Sequence, residues 1–174
     1  CLSRGLGDVY KRQPQYLLLN EDKYSLPAEE ACNYVIDPPL RKQKNSEILW
    51  DALREGRIQT IASDHCGFTK KQKNVEDQDF MLIPAGIPGA EERPALMWQY
   101  GVNEGRITAE QMCAYLSENP AKLYKLYPWK GALIPGSDAD IVIWDPNTEW
   151  TMTAADHQSA CDYCPMEGAE IAGR

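Results

Sequence analysis

The chain has 174 residues, 43% of them hydrophobic and 25% charged, a composition that supplies a core and excludes disorder throughout. Its formal net charge of -8, from 18 basic and 26 acidic residues, leaves no electrostatic footprint for nucleic acid and excludes that class of partner. The strongest apolar run, Tyr16 to Leu19, is far shorter than the ~20 residues of a membrane-spanning helix, so no membrane partner is expected.

Residues 1–13, CLSRGLGDVYKRQ, read as a non-native leader resembling translated adapter sequence, and fold reasoning starts at Pro14. That start is abrupt and falls inside an apolar segment, as expected of a truncated gene. Tyr34-Val35-Ile36, closed by Asp37-Pro38-Pro39, predicts a short buried strand. Asn45 or Ser46 is placed to cap the next helix, whose apolar face is Ile48, Leu49, Ala52 and Leu53 and whose stop is Gly56. Ile58 to Ala62 predicts a second strand, parallel to the first across this βα unit.

A long polar loop runs from about Cys66 to Gln78, with Lys70, Lys71 and Lys73 read as a solvated charge run. The next helix is predicted from about Glu91 to Asn103, ended by Gly105. Thr108 and Gln111 form a complete capping box for the helix after it, with Ile107 and Met112 at the staple positions. Pro120 reads as a first-turn proline. From Gly131 the pattern turns to β: a Pro135-Gly136 turn, a strand over Asp140 to Trp144, a turn at Asp145-Pro146-Asn147, and a strand candidate over Trp150 to Thr153. The boundary between the α/β part and the β part lies near Lys130.

Ser63-Asp64-His65 follows a predicted strand directly, at the end that carries active sites in α/β barrels and open α/β sheets. An aspartate there can bind a divalent metal or take a proton from a metal-bound water. On spacing alone, Asp64 as a turn cap and His65 as a satisfied core histidine is the favoured reading, since a lone Asp-His pair is a weak signal. Cys161-x-x-Cys164 offers two ligands where a structural zinc needs four, and His65 and His157 lie in unrelated segments, so the pair reads as loop cysteines. The six cysteines are widely spaced, which suits reduced thiols in the cytoplasm better than a disulfide framework. Glu91 and Glu92 suit a helix N-terminus, with Arg93 pairing to a carboxylate. The chain has neither a GxSxG elbow nor a phosphate-cradling glycine loop.

Taken in order, Pro14 to Leu19, Tyr34 to Arg41, Ser63 to Cys66, Asp79 to Pro84, Gly89 to Arg93, Gly131 to Asp145 and Asp162 to Gly168 resemble the dihydropyrimidinase/hydantoinase branch of the amidohydrolase superfamily. Each segment is a weak signal, and their shared order and spacing is a strong one. Cys66 after Ser63-Asp64-His65 favours this branch over the dihydroorotases and allantoinases, which share the Pro38-Pro39-Leu40-Arg41 motif.

The resemblance implies an α/β fold: the C-terminal part of a (β/α)8 barrel over residues 14–130, and the C-terminal strands of a small β-sandwich over residues 131–174. It implies metal-dependent opening of a cyclic amide, a dihydropyrimidine or a hydantoin. The family's site holds two metals, usually zinc, on four histidines, a carboxylated lysine and one aspartate. Asp64 matches the aspartate, a metal ligand that carries a proton to the leaving amide nitrogen. The other ligands lie upstream of Pro14 in the family, so the isolated chain is expected to be inactive. Asp37, Ala85 and Gly86 match positions that hold the ring amide, chiefly through backbone atoms. Asp37 stands where the family commonly has serine, and Ala85 where it has asparagine, which bears on substrate choice. A cytoplasmic homotetramer is implied for the full-length protein. The alternatives are a non-catalytic scaffold of the collapsin-response-mediator type, which tends to lose the aspartate that Asp64 retains, and a dihydroorotase or allantoinase relative. A small stand-alone binding domain would need a self-contained core, which an incomplete barrel does not offer.

Overall fold

The fold is taken from a computed structural model, which describes residues 11–75 and 79–174. Residues 1–10, most of the segment read as a leader, lie outside the described ones. Its last residues are placed in the fold: β1 (Lys11–Arg12) pairs in parallel with β2 (Thr60–Ile61), Lys11 opposite Thr60 and Arg12 opposite Ile61. The parallel partner of Ile58 to Ala62 is therefore this segment. Tyr34 to Ile36 forms no strand; Tyr34 ends a 3-10 turn (Cys32–Tyr34) and Ile36 is buried under the loop that follows. Two adjacent prolines, which supply no backbone donors, favour that loop over a sheet ladder.

After β1, α1 (Pro14–Leu18) opens on a first-turn proline and packs against α3 (Gln43–Arg54). A short α2 (Ala28–Ala31) lies between them. The N-cap of α3 is Lys42, with no side-chain cap bond; Ser46 is buried and gives its hydroxyl to the Tyr16 carbonyl at 3.1 Å. The buried stripe of α3 is Ser46, Trp50 and Leu53 with Ala52, while Ile48 is 55% exposed. Trp50 displaces Ile48 from the core because its indole both fills volume and donates to the Leu17 carbonyl at 3.1 Å. Gly56 ends the helix at φ +72°, a conformation cheap only for glycine.

The polar loop after β2 carries one helical turn, α4 (Lys70–Lys73), capped by a reciprocal Thr69–Gln72 box. The helix α5 (Arg93–Met97) continues as a π-helical segment over Trp98–Asn103. The Thr108–Gln111 capping box opens α6 (Ala109–Cys113), as the sequence predicts, and the helix runs on through a π segment (Ala114–Glu118) into α7 (Asn119–Leu123). Leu17, Trp50, Leu53, Ile58, Ile61, Met97, Ile107, Met112 and Tyr115 form one core beneath β2. Tyr115 fixes it further by donating to the Leu53 carbonyl at 2.6 Å.

The C-terminal part folds back on α5. β3 (Glu149–Thr151) pairs antiparallel with β4 (Glu170–Ala172), and Met152, Cys164 and Ile171 bury themselves against Ala95 and Leu96. Asp140 to Trp144 forms no strand. Ile141, Val142 and Ile143 are 60, 84 and 91% exposed, and no described strand pairs with them. A β-rich run without a neighbour has no ladder to join.

Candidate active site

Three loops meet beyond the end of β2, and each carries a residue that the sequence singles out. Ser63 to Phe68 follows the strand, Val35 to Pro39 comes from the N-terminal part, and Pro84 to Ala90 from the segment before α5. Their backbones are tied together: Gly86 donates to the Val35 carbonyl at 3.0 Å and Cys66 to the Ile87 carbonyl at 3.0 Å. Gln15 reaches the Ser63 carbonyl from α1 at 3.3 Å.

Asp64 is exposed and adopts φ +52°, a left-handed conformation that aspartate tolerates better than most residues. One carboxylate oxygen accepts from the Gln13 side chain at 3.1 Å. His65 is no core histidine. It is exposed, and its Nδ1 accepts from the backbone amides of Gly89 at 3.3 Å and Ala90 at 3.4 Å. Asp37 and Ala85 are exposed and Gly86 is half-buried.

Tyr16 links two of these loops. Its hydroxyl donates to the Pro38 carbonyl at 2.7 Å. Burial raises its pKa, and the Asp64 carboxylate, the Tyr24 phenol and the Asp37 carboxylate push it the same way. The Asp64 and Asp37 carboxylates therefore both act on this one phenol. Tyr16 has no charge and no motif of its own in the sequence, and only its place in an apolar start segment marked it.

Lys73 overturns the reading of a solvated charge run. It is 0% exposed, and its ammonium donates to the carbonyls of Val35 at 2.8 Å, Pro84 at 2.7 Å and Gly86 at 2.8 Å. All three ammonium protons are thus used, and the loops bearing Asp37 and Ala85 are clamped to α4. Burial pushes the ammonium down to about 8. Gly86 completes the clamp at φ +136°, where a Cβ would fall 2.4 Å from the Cys66 sulfur. Arg93 likewise departs from the expected carboxylate pairing: half-buried, it donates to the Ile61 carbonyl at 3.3 Å.

A cavity of about 20 Å³ lies beside Gln15, Ile87 and Gly89, and one of about 200 Å³ lies between α5 and the C-terminal strands. Neither is lined by Asp64, Asp37, Ala85 or Gly86. Among the described residues, no group of three metal-ligating side chains gathers at Asp64. Asp64 fits one ligand position of a metal site, on an exposed carboxylate at a strand's C-terminal side, and the described residues do not supply a whole site.

The amidohydrolase family model matches residues 18–168. The chain is 42% identical over 172 residues to a D-hydantoinase of Rhizobium radiobacter, covering 98% of this chain and 37% of that protein. It is 38% identical over 186 residues to a D-phenylhydantoinase of Escherichia coli, covering 99% of this chain and 40% of that protein. The crystal structure of the dihydropyrimidinase from Brevibacillus agri superimposes with a TM-score of 0.91 at 40% identity, over 94% of this chain and 36% of that one. The chain thus spans little more than a third of the length of these relatives. Its α/β fold corresponds to part of the (β/α)8 barrel of the hydantoinase structures. Among the described residues, no helix is long and apolar enough to cross a membrane.

Proposed function

The chain belongs to the amidohydrolase family, a generally metal-dependent one, and from that premise we propose that it is the C-terminal part of a hydrolase that opens a cyclic amide, a hydantoin or a dihydropyrimidine. The observation that carries this reading is the retained Asp64, exposed beyond the end of β2 among loops clamped to one another.

In this reading Asp64 is a metal ligand and the carrier of the proton to the leaving amide nitrogen. Asp64 would help hold a divalent metal, zinc by resemblance and two per site, and the bound metal would supply an activated water for attack on the ring carbonyl. The backbones of Asp37 and Ala85-Gly86 hold the ring amide, and the Lys73 clamp keeps the carbonyls around them from turning away. The exposed Asp37 carboxylate disfavours acidic ring substituents. The four cysteines Cys32, Cys66, Cys161 and Cys164, together with Cys113, are free thiols, in keeping with a reducing cytoplasm. A homotetramer rests on the resemblance alone.

The test is made in a full-length hydrolase in which this chain occupies its matching stretch. Asp64→Asn keeps the shape and removes both the charge and the proton carrier. It is expected to lower turnover of hydantoin or dihydrouracil by about a hundredfold or more. Undiminished turnover in a folded, metal-loaded Asp64→Asn protein removes Asp64 from the reaction.

A further inference from the structure

Glu92 is the N-cap residue of α5, its side chain is 3% exposed, and its Oε1 atom has no hydrogen-bond partner. A buried carboxylate without a strong hydrogen bond costs free energy that folding must offset elsewhere, so the groups it faces, an imidazole and a thiol, bear on what it can hold. Nδ1 of His157, a side chain 7% exposed, lies 3.5 Å away. The buried Cys164 completes the group, and one ligand atom from each residue lies within 4.8 Å of the others.

Three separate segments converge to make this group, and each is anchored independently. The Glu91 carboxylate accepts from the backbone amides of Gln158 at 2.8 Å and Ser159 at 2.7 Å, which fixes the His157 loop over the start of α5. Cys164 is seated in the core formed with Ala95, Leu96, Met152 and Ile171. Glu92 and His157 also line the cavity of about 200 Å³, whose wall includes Trp144, Trp150, Asp156 and Arg174, so an ion has a route to them.

We propose that Glu92, His157 and Cys164 bind a thiophilic divalent cation of the zinc class. A thiolate and an imidazole select zinc or cadmium over magnesium or calcium. Around a tetrahedral zinc, ligand atoms at about 2.0–2.3 Å from the metal stand roughly 3.3–3.8 Å apart. The present spread of at most 4.8 Å needs only side-chain closure. The cation would take up the Glu92 oxygen and the His157 nitrogen and displace the thiol proton, leaving a fourth position for a water. The Cys161-x-x-Cys164 spacing concealed this arrangement. Cys161 turns the other way, toward the Cys66 carbonyl, and Cys164 finds partners far off in sequence.

The test uses the purified 174-residue chain, stripped with chelator and titrated with zinc or cadmium chloride. One tight equivalent is expected, with a thiolate-to-cadmium charge-transfer band and, by X-ray absorption of the unmutated chain, one sulfur among nitrogen and oxygen neighbours. Cys164→Ser and Glu92→Gln are each expected to weaken binding by at least about tenfold, while Cys161→Ser and Cys66→Ser leave it unchanged. A first shell without sulfur, or with two or more, overturns the proposal. So does binding that Cys164→Ser leaves intact. The absorption measurement needs no variant, so a misfolded mutant does not decide the matter. No readout depends on hydrolysis, and the result stands apart from the role of Asp64.

Discussion

The Lys73 ammonium donates to the Gly86 carbonyl at 2.8 Å, so a fully buried cation fixes the backbone that we propose to hold the substrate amide. The same ammonium reaches Val35 and Pro84, which makes it the common support of two loops.

Replacing it by Lys73→Met, which keeps the stem and removes the donors, leaves the Pro84 and Gly86 carbonyls without their donor, while Val35 keeps the Gly86 amide. A buried polar group left unsatisfied costs about 1–3 kcal/mol, so the loss in chain stability from these two is expected to be about 2 kcal/mol or more. Chemical denaturation of the two chains checks it. A difference below about 1 kcal/mol shows that water replaces the ammonium without loss.

The pH dependence of that difference has a definite sign. The folded ammonium titrates near 8, below the usual lysine value of 10.5, so between those values the unfolded chain binds more protons. Stability must then rise with pH across that window. The denaturation midpoint of the unmutated chain, measured against Lys73→Met from about pH 8 to pH 10, is expected to climb. A flat difference assigns Lys73 an ordinary pKa and a falling one a raised pKa, and either contradicts the lowered value.

Gly86→Ala is expected to destabilise by about 2–3 kcal/mol, through a left-handed φ and a clash with Cys66. Removing only the sulfur does not relieve it, because the Cys66 Cβ would still stand 2.5 Å from the new methyl. The double variant Gly86→Ala with Cys66→Ala is therefore expected to melt with the single one.

Thr108 accepts from the Gln111 amide at 3.2 Å, and Gln111 accepts from the Thr108 amide at 2.9 Å. Thr108→Ala is expected to cost about 1 kcal/mol. A thermal melt against the parent chain measures it.

This capping box was fully legible in the sequence because its donors and acceptors lie within one turn of each other. Legible for the same reason were Gly56 and Gly105 as helix stops. What could not be read depends on distant partners. Trp50 took the core place given to Ile48 because Leu17 offers its indole a carbonyl. Lys73 looked solvated among lysines because its three acceptors come from two other segments. Asp140 to Trp144 has strand composition, but composition does not supply a neighbouring strand. Asp64 was found through the resemblance, since an aspartate and a histidine after a strand carry little signal. Glu92, His157 and Cys164 come from three segments far apart in sequence, so their meeting is not legible from spacing.

The central claim, that this chain carries a working share of a cyclic-amidase site, is tested most directly by transplantation. Residues 11–174 replace the matching stretch of the Rhizobium radiobacter D-hydantoinase, to which the chain is 42% identical. Hydantoin opening is then measured with Asp64 intact and with Asp64→Asn. The account predicts turnover in the first and a loss of about a hundredfold or more in the second. A folded, metal-loaded chimera that opens no ring, or one that Asp64→Asn leaves unimpaired, would contradict it.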